Sequence, residues 1–137
     1  MCATYARLPK RILIVDDDLD LLMLLERRLE KEGYLVETAA SLTEAEEILS
    51  VFAPGLVLVD INVNGEDGRQ LCWKIKTAHF KNVPKIVVIS GFDYSTGRAL
   101  LFGADELLPK PFHMDFLLHR VAAYVGTVER EAAGSKK

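Results

Sequence analysis

Unbroken runs of aliphatic residues alternate along the chain with segments in which apolar residues recur at helical spacing. The aliphatic runs predict strands that are buried on both faces, and the amphipathic segments predict helices. We expect strands over residues 12–15, 34–38, 56–60, 85–89 and 106–108. The second strand is more polar than the others, which indicates a position at or near the edge of the sheet. Strands that alternate with helices predict an α/β fold, a doubly wound parallel sheet with five strands and five helices.

Capping residues mark the ends of the first two helices. Asp18 or Asp20 can cap the start of the first helix, and Gly33 suits the left-handed position that follows its end. Ser41 and Glu44 form a capping box at the start of the second helix. Three further helices are predicted over residues 69–78, 95–102 and 112–125. The polar segment 62–68, which follows the third strand, is predicted to be a loop.

The composition narrows the class of protein. Half of the 137 residues are hydrophobic and 27% are charged, as in an ordinary globular domain. We predict one domain over residues 10–125, an N-terminal extension over 1–9 and a polar tail or linker start over 126–137. A net charge of −3 gives no basic surface for direct nucleic acid binding. No apolar run suits a membrane span or a signal peptide, and Cys2 and Cys72 are not expected to form a structural disulfide, so we expect a cytoplasmic protein.

Polar side chains follow four of the predicted strands at the point where each strand ends. Asp16 and Asp17 follow the first strand, Asp60 ends the third, Ser90 follows the fourth and Lys110 follows the fifth. Because the carboxyl ends of parallel strands lie at one edge of the sheet, these five side chains are expected to share a rim. Singly, each has an ordinary structural explanation as a helix cap, a strand end or a surface residue. Their coincidence predicts a functional site.

The chemistry of this rim favours phosphoryl transfer. Three neighbouring carboxylates repel one another, so they take up protons or recruit a cation. Mg²⁺ fits best, because it prefers oxygen ligands, keeps several waters and bridges carboxylates to phosphate oxygens. Lys110 and Ser90 offer donors to a phosphoryl group. Asp60 is then placed as a nucleophile that forms an acyl phosphate.

On these residues the chain resembles the receiver domain of two-component response regulators. The resemblance covers about residues 10–125 and is carried by the motifs Ile14-Val15-Asp16-Asp17-Asp18, Leu58-Val59-Asp60, Asp67-Gly68, Ile89-Ser90-Gly91 and Lys110-Pro111-Phe112. It implies a flavodoxin-like sheet with strand order 2-1-3-4-5. It also implies that Asp60 accepts a phosphoryl group from the phosphohistidine of a sensor histidine kinase or histidine phosphotransfer protein. Self-phosphorylation and self-dephosphorylation would be weak, and an output partner, which the sequence does not identify, would receive the signal.

The resemblance further implies roles for the other rim residues. Mg²⁺ would be held by Asp17, by Asp60, by the backbone carbonyl of Asn62 and, partly through water, by Asp16. Ser90 would follow the phosphoryl group on activation and Lys110 would hold it. A cis peptide is implied before Pro111, and cis bonds are largely confined to proline.

The chain departs from the pattern of the family at several positions. The switch residue, usually Tyr or Phe, falls on Leu107, so conventional coupling to the last two helices is not expected. Asn64 stands where proline is usual after the phosphoacceptor, and Val63 stands where methionine is common. Pro109 directly before the lysine is unusual, and the span 90–103 is about two residues shorter than usual. The phosphoacceptor residues are complete, whereas the output surface is atypical.

Two positions are predicted to tune the acyl phosphate. In the family, the positions of Asn62 and Phe92 flank the path of attacking water, and the bulky Phe92 should screen that path and slow hydrolysis. Gly91 should leave the approach to Asp60 open. Phe116 and Tyr124 flank the core stripe of the last helix and are candidates for a homodimer face, although a wider core stripe explains them equally well.

Three other function classes compete with this interpretation. A Mg²⁺-dependent phosphohydrolase of the haloacid-dehalogenase type needs a second aspartate at the position of Asn62 and a cap domain. A flavodoxin-type nucleotide or flavin module needs backbone amides in its first loop, where three aspartates would repel phosphate. A receiver-like module that acts by protein contact without phosphorylation is compatible with Leu107, although the complete acidic site argues against it.

Overall fold

A central sheet of parallel strands organises the computed structural model, which describes residues 10–78, 82–91 and 102–128. The strands are β1 (Arg11–Val15), β2 (Leu35–Ala39), β3 (Leu56–Asp60), β4 (Asn62–Val63), β5 (Glu66–Asp67), β6 (Lys85–Ser90) and β7 (Glu106–Pro109). The helices in these ranges are α1 (Leu19–Lys31), α2 (Leu42–Phe52), α3 (Arg69–Thr77) and the helix that we name α4 (Met114–Val125). The parallel sheet has the order β2-β1-β3-β6-β7, with β2 at one edge. The predicted doubly wound sheet and its strand order are therefore confirmed.

Apolar side chains cover both faces of this sheet, as unbroken aliphatic strands require. On one face, Leu13 and Val59 pack with α2 and α3 through residues such as Leu49 and Ile75. On the other face, Ile12, Ile14 and Leu58 pack with α1 and α4. β3 is buried along its whole length. The two layers of helices leave the ends of the strands as the positions where polar side chains reach solvent.

The helix caps fix the loops that surround the carboxyl ends of the strands. The carboxylate of Asp18 accepts the backbone N–H of Leu21, so Asp18 rather than Asp20 caps α1. Ser41 accepts the N–H of Glu44, whose carboxylate accepts the N–H of Ala40 in return, 2.8 Å away. Ser41 thus caps α2 as predicted, and Glu44 closes back on Ala40, the residue directly before the N-cap.

The structure differs from the sequence-based boundaries by one residue at β1, α3, β6 and β7, and at three further places. The segment predicted as a loop contains the two-residue strands β4 and β5, paired antiparallel around Asn64 and Gly65. β2 begins one residue later than predicted, because the backbone N–H of Tyr34 donates to the carbonyl of Leu29 in α1 rather than to a neighbouring strand. The hydroxyl of Tyr34 donates to the carbonyl of Gly126, 2.7 Å away. The last helix begins at Met114 rather than at residue 112. The helix predicted over 95–102 falls almost wholly on residues outside the described ranges.

Two further sequence-based expectations concern the whole chain. No helix in the described ranges is both long and apolar enough to cross a membrane. Cys72 is a buried free thiol on α3, and burial raises its pKa to about 12. Cys2 lies outside the described residues, as do the predicted extension 1–9 and the end of the tail from residue 129.

Candidate functional site

A lysine joins two aspartates at the carboxyl edge of the sheet. The ammonium group of Lys110 lies 2.9 Å from Oδ2 of Asp60 and 3.3 Å from Oδ2 of Asp16. The strands β1, β3 and β7 deliver these three side chains from separate parts of the sequence. Asp16 and Asp60 are buried, and the Lys110 side chain is 26% exposed. The rim predicted from strand polarity is therefore present for these residues.

The second oxygen of each buried carboxylate accepts a local backbone amide. Oδ1 of Asp16 accepts the N–H of Asp18 at 2.9 Å, and Oδ1 of Asp60 accepts the N–H of Asn62 at 3.0 Å. Such bonds to the residue two positions ahead fix the carboxylate on its own turn. Both carboxylates are consequently held in place before any ligand arrives.

The backbone around Asp60 leaves no room for a side chain at Gly68. A Cβ atom at Gly68 would lie 1.9 Å from the carbonyl oxygen of Asp60. The N–H of Gly68 also donates to the carbonyl of Ile61 at 2.8 Å. α3 therefore starts directly against the peptide of the phosphoacceptor candidate, and only glycine permits that approach.

A backbone hydrogen bond joins Ser90, at the end of β6, to Lys110, directly after β7. Ser90 is fully buried at the end of β6, and its carbonyl accepts the N–H of Lys110 at 2.7 Å. The peptide bond between Lys110 and Pro111 is cis, as the resemblance implied. Gly91 is exposed, and a Cβ atom there would make only ordinary contact with the Lys110 side chain.

Burial and neighbouring charges shift the acid–base behaviour of the rim. Burial raises the pKa of Asp16 to about 6. The negative charge of Asp60 adds to this rise, and the hydrogen bond from the amide of Asp18 opposes it. Burial alone would lower the pKa of Lys110, but its contacts with Asp60 and Asp16 raise that pKa above the ordinary value. Lys110 is consequently a fixed cation between two acids at neutral pH.

Asp17 lies beside this pair but faces the hairpin formed by β4 and β5. Its Oδ2 accepts the N–H of Asn64 at 2.8 Å, and the Asn64 side chain donates to the carbonyl of Ala40 at 3.0 Å. Among the described residues, no three Asp, Glu, His or Cys side chains are grouped closely enough to hold a metal ion together. The predicted sharing of one ion by Asp16, Asp17 and Asp60 therefore stays a prediction.

The donor set nevertheless fits Mg²⁺. A divalent ion of this kind needs only one or two carboxylates, with waters filling its other positions. The structure offers the buried carboxylates of Asp60 and Asp16, which share the Lys110 ammonium group, and the exposed carboxylate of Asp17, which follows Asp16 in the chain. All of these donors are hard oxygens, and a positive charge already bridges two of them.

The remaining predicted positions are not all brought to this rim. Leu107 lies within β7, paired in register with Val88, and is partly buried against the core. Phe92 lies outside the described residues, so its role in screening the acyl phosphate stays a prediction. Asn62 is exposed on β4, and its side-chain oxygen accepts the N–H of Gly65 at 3.0 Å.

Sequence reasoning missed the structural role of Asn64. It treated this residue only as a departure from the usual proline, although the Asn64-Gly65 pair is a strong hairpin signal. Both residues have positive φ angles, 54° and 81°, as a tight hairpin turn requires. The bond from Asn64 to Asp17 carried no sequence signal, because it joins loops that are 47 residues apart.

Comparison with known proteins agrees with this geometry. A family model described as the response regulator receiver domain matches residues 12–122. The response regulator MprA of Mycobacterium sp. (strain KMS) is 36% identical over 118 residues, which is 85% of this chain and 50% of that protein. The chain thus spans about half the length of that curated relative.

Solved structures show the same fold. The signal receiver domain of a response regulator from Bermanella marisrubri superimposes with a TM-score of 0.80 at 36% identity, covering 86% of this chain and 99% of that one. The BeF3-activated N-terminal receiver domain of RstA from Klebsiella pneumoniae gives a TM-score of 0.77 at 27% identity. It covers 85% of this chain and 98% of that one.

Proposed function

We propose, because this chain belongs to the response regulator receiver domain family, that Asp60 is the phosphoacceptor of a two-component system. Receiver domains are generally not true enzymes, so the activity is a weak phosphotransfer onto the protein itself. The observation that carries the proposal is the position of Lys110, whose ammonium group lies 2.9 Å from Asp60 and also contacts Asp16. A carboxylate next to a fixed cation can react with a phosphoryl group whose charge that cation stabilises.

The transfer begins with a phosphohistidine of a sensor kinase or a phosphotransfer protein. An oxygen of the Asp60 carboxylate attacks phosphorus, the phosphorus–nitrogen bond breaks, and the electron pair returns to the imidazole, which takes up a proton. The ammonium group of Lys110 stabilises the negative charge that develops on the phosphoryl oxygens. The amide of Asn62 holds the other carboxylate oxygen of Asp60, so the reacting group does not have to be ordered during the step.

We assign the metal ligands to Asp17, Asp60, the backbone carbonyl of Asn62 and, partly through water, Asp16. When bound, Mg²⁺ supplies charge neutralisation at the phosphoryl oxygens. Each of the three carboxylates already accepts one backbone amide, from residues 64, 62 and 18 respectively. Those amides orient the acids toward a common rim and lower the cost of ordering them.

The output step is proposed to be atypical. Ser90 is fully buried at the end of β6 and is the hydroxyl that would move toward a phosphoryl group on Asp60. Leu107, which occupies the switch position on β7, is partly buried against the core and carries no aromatic ring. Any signal to an output partner should consequently travel through packing of an aliphatic side chain. This feature also supports the second candidate function, a receiver that binds its partner independently of phosphorylation.

Phosphorylation by a small donor tests the assignment of Asp60. After incubation with Mg²⁺ and acetyl phosphate, intact-mass spectrometry should show one added phosphoryl group on the parent protein and none on Asp60→Asn. Asp115→Asn is the matched control, because Asp115 is an exposed aspartate at the start of α4, and it should be phosphorylated like the parent. Modification of Asp60→Asn at the parental level would overturn the assignment.

A binding measurement separates the two candidate functions. With an output partner identified by pull-down, binding that strengthens on treatment with beryllofluoride supports phosphorylation-controlled output. Equal binding with and without beryllofluoride, together with an unmodified Asp60 in the mass measurement, supports the receiver that acts by contact alone.

A further inference from the structure

The hairpin tip formed by Asn64 and Gly65 joins three loops at the carboxyl edge of the sheet. Asn64 belongs to the segment that follows β3, and it contacts Asp17 after β1 and Ala40 after β2. The two contacts use different parts of the residue. The backbone N–H donates to the Asp17 carboxylate at 2.8 Å, and the side-chain amide donates to the Ala40 carbonyl at 3.0 Å.

The Ala40 end of this connection is firmly anchored. The N–H of Ala40 donates to the carboxylate of Glu44, which belongs to the capping box of α2 together with Ser41. Ala40 is therefore fixed by the start of a helix whose inward face is packed in the core. Asn64 links this fixed segment to Asp17, which is exposed and accepts no second hydrogen bond within the part of the chain that the structure describes.

The residue type matches both tasks. Asn64 has a φ of 54°, a left-handed conformation that asparagine adopts more readily than most side chains. Its amide nitrogen is a donor, as the Ala40 carbonyl requires, whereas an ionised aspartate at this position would offer that carbonyl only acceptors. Proline would lack the N–H that Asp17 accepts, and its fixed negative φ does not fit this turn.

We propose that Asn64 is a positioning residue for Asp17 and sets the affinity of the acidic rim for a divalent cation. The inference rests on the proposed function, because it takes Asp17 to be a metal ligand. With Oδ2 held by the hairpin, Asp17 presents Oδ1 to the ion in a fixed orientation. Hydrogen bonds that orient a metal-binding side chain typically change metal affinity by about 10- to 100-fold when they are lost.

The first measurement uses the metal-free protein and does not depend on phosphorylation. In NMR spectra of the parent, the backbone amide proton of Asn64 should exchange slowly with solvent. In Asp17→Ala, which lacks the acceptor, the same amide proton should move upfield and exchange faster. Asp18→Ala, which removes a neighbouring carboxylate that caps α1, should leave this amide unchanged. An Asn64 amide that exchanges equally fast in the parent and in Asp17→Ala would show that no such bond exists.

The second measurement titrates Mg²⁺ into the parent, Asn64→Gly and Asn82→Gly, following amide shifts around Asp60. Asn64→Gly keeps the N–H and the positive φ but loses the bond to Ala40, so its Kd for Mg²⁺ should rise by about 5-fold, somewhat less than full loss of an orienting bond. Asn82→Gly is the matched control before β6, where Asn82 is exposed, and should keep the parental Kd.

The outcomes separate this inference from the proposed function. A Kd for Asn64→Gly equal to or lower than that of the parent overturns the positioning role while leaving the metal site intact. If the parent itself does not bind Mg²⁺, the metal part of the proposed function fails, and the affinity role of Asn64 fails with it. The amide exchange measurement then still decides whether the hairpin holds Asp17.

Discussion

The two edges of the sheet carry opposite charges although the same strands connect them. β1 begins with Arg11 and is followed by Asp16, and β6 begins with Lys85 and ends with Ser90. The carboxyl edge brings Asp16 and Asp60 into contact with Lys110, and Asp17 follows Asp16 there. At the amino edge, a cleft of about 750 Å³ is lined by the cations Lys10, Arg11 and Lys85 among apolar side chains.

This difference shows which residues decide where a site forms. The interiors of the strands are uniformly aliphatic, so they specify the sheet but do not distinguish its edges. The residue that directly follows each strand makes that distinction, because strand polarity collects these residues on one side. The carboxyl edge is also held by side-chain bonds between loops, such as those of Lys110 and Asn64. Lys10, Arg11 and Lys85, the cations of this cleft, form no ion pair within the part of the chain that the structure describes.

The largest expected difference between the edges is in tolerance to an added methyl group. Gly68→Ala would place Cβ 1.9 Å from the carbonyl oxygen of Asp60, so the start of α3 and the backbone at Asp60 must shift apart. We expect a loss of about 3 kcal/mol in the free energy of unfolding, as for severe overpacking. Urea denaturation measures the loss, and residual phosphorylation of Asp60 by acetyl phosphate reports the local displacement.

Gly55→Ala is the control at the amino edge. Its Cβ would lie 3.5 Å from Val125 and 3.9 Å from the carbonyl of Arg11, both ordinary contacts. The change should stay within about 0.5 kcal/mol of the parent. Equal destabilisation by the two substitutions would mean that close packing does not distinguish the edges.

A smaller difference is expected when a lysine charge is removed from each edge. Lys110→Met keeps the aliphatic stem but leaves the buried acids Asp16 and Asp60 without their shared cation. Because breaking a buried ion pair is costly and this one is partly exposed, we expect a loss of about 2 kcal/mol at pH 7. Lys85→Met, at an exposed position, should change stability by less than about 0.5 kcal/mol.

A compensating substitution checks the cause. Adding Asp16→Asn to Lys110→Met removes one of the two repelling charges and should recover part of the lost stability in thermal unfolding. A double variant that is less stable than Lys110→Met would indicate that lost packing, rather than charge repulsion, explains the effect.

The smallest expected effect is a pH dependence at the amino edge. Burial alone would raise the pKa of Glu106, but hydrogen bonds from Arg120 and Tyr124 lower that pKa below its ordinary value of 4.5. A carboxyl group with a lowered folded-state pKa contributes stability above pH 4.5 and loses it as the pH falls through the folded-state pKa. The melting temperature of the parent should therefore approach that of Glu106→Gln as the pH falls from about 6 to about 3. A difference between the two proteins that is constant over this range would contradict the assigned pairing.

The sequence predicted the architecture and most of the rim because both depend on local signals. Aliphatic runs identify buried strands, and Asp60 and Lys110 stand directly after such runs. The cap of α1 and the capping box of α2 were also readable, since each involves residues only three or four positions apart.

The contacts that were not predicted join residues distant in sequence. The bond from Asn64 to Asp17, 47 residues apart, depends on how loops meet after folding. Strand polarity predicted that Lys110 and Asp16 share a rim, but not the hydrogen bond that joins them across 94 residues. The hairpin of β4 and β5 is a different case. Its Asn64-Gly65 turn was a local signal, and it was overlooked because the surrounding polar residues suggested an irregular loop.

The hydrogen bond from Tyr34 to the carbonyl of Gly126 holds residues 126–128 at the end of the sheet opposite to Asp60. Val128 packs against Gly33 just before β2, at the amino edge, with its Cγ1 2.8 Å from where a Cβ on Gly33 would lie. A five-residue strand separates the two edges by about 16 Å. Residues 126–128 therefore lie about the length of one strand away from Asp60, at the opposite end of the sheet from the acidic rim.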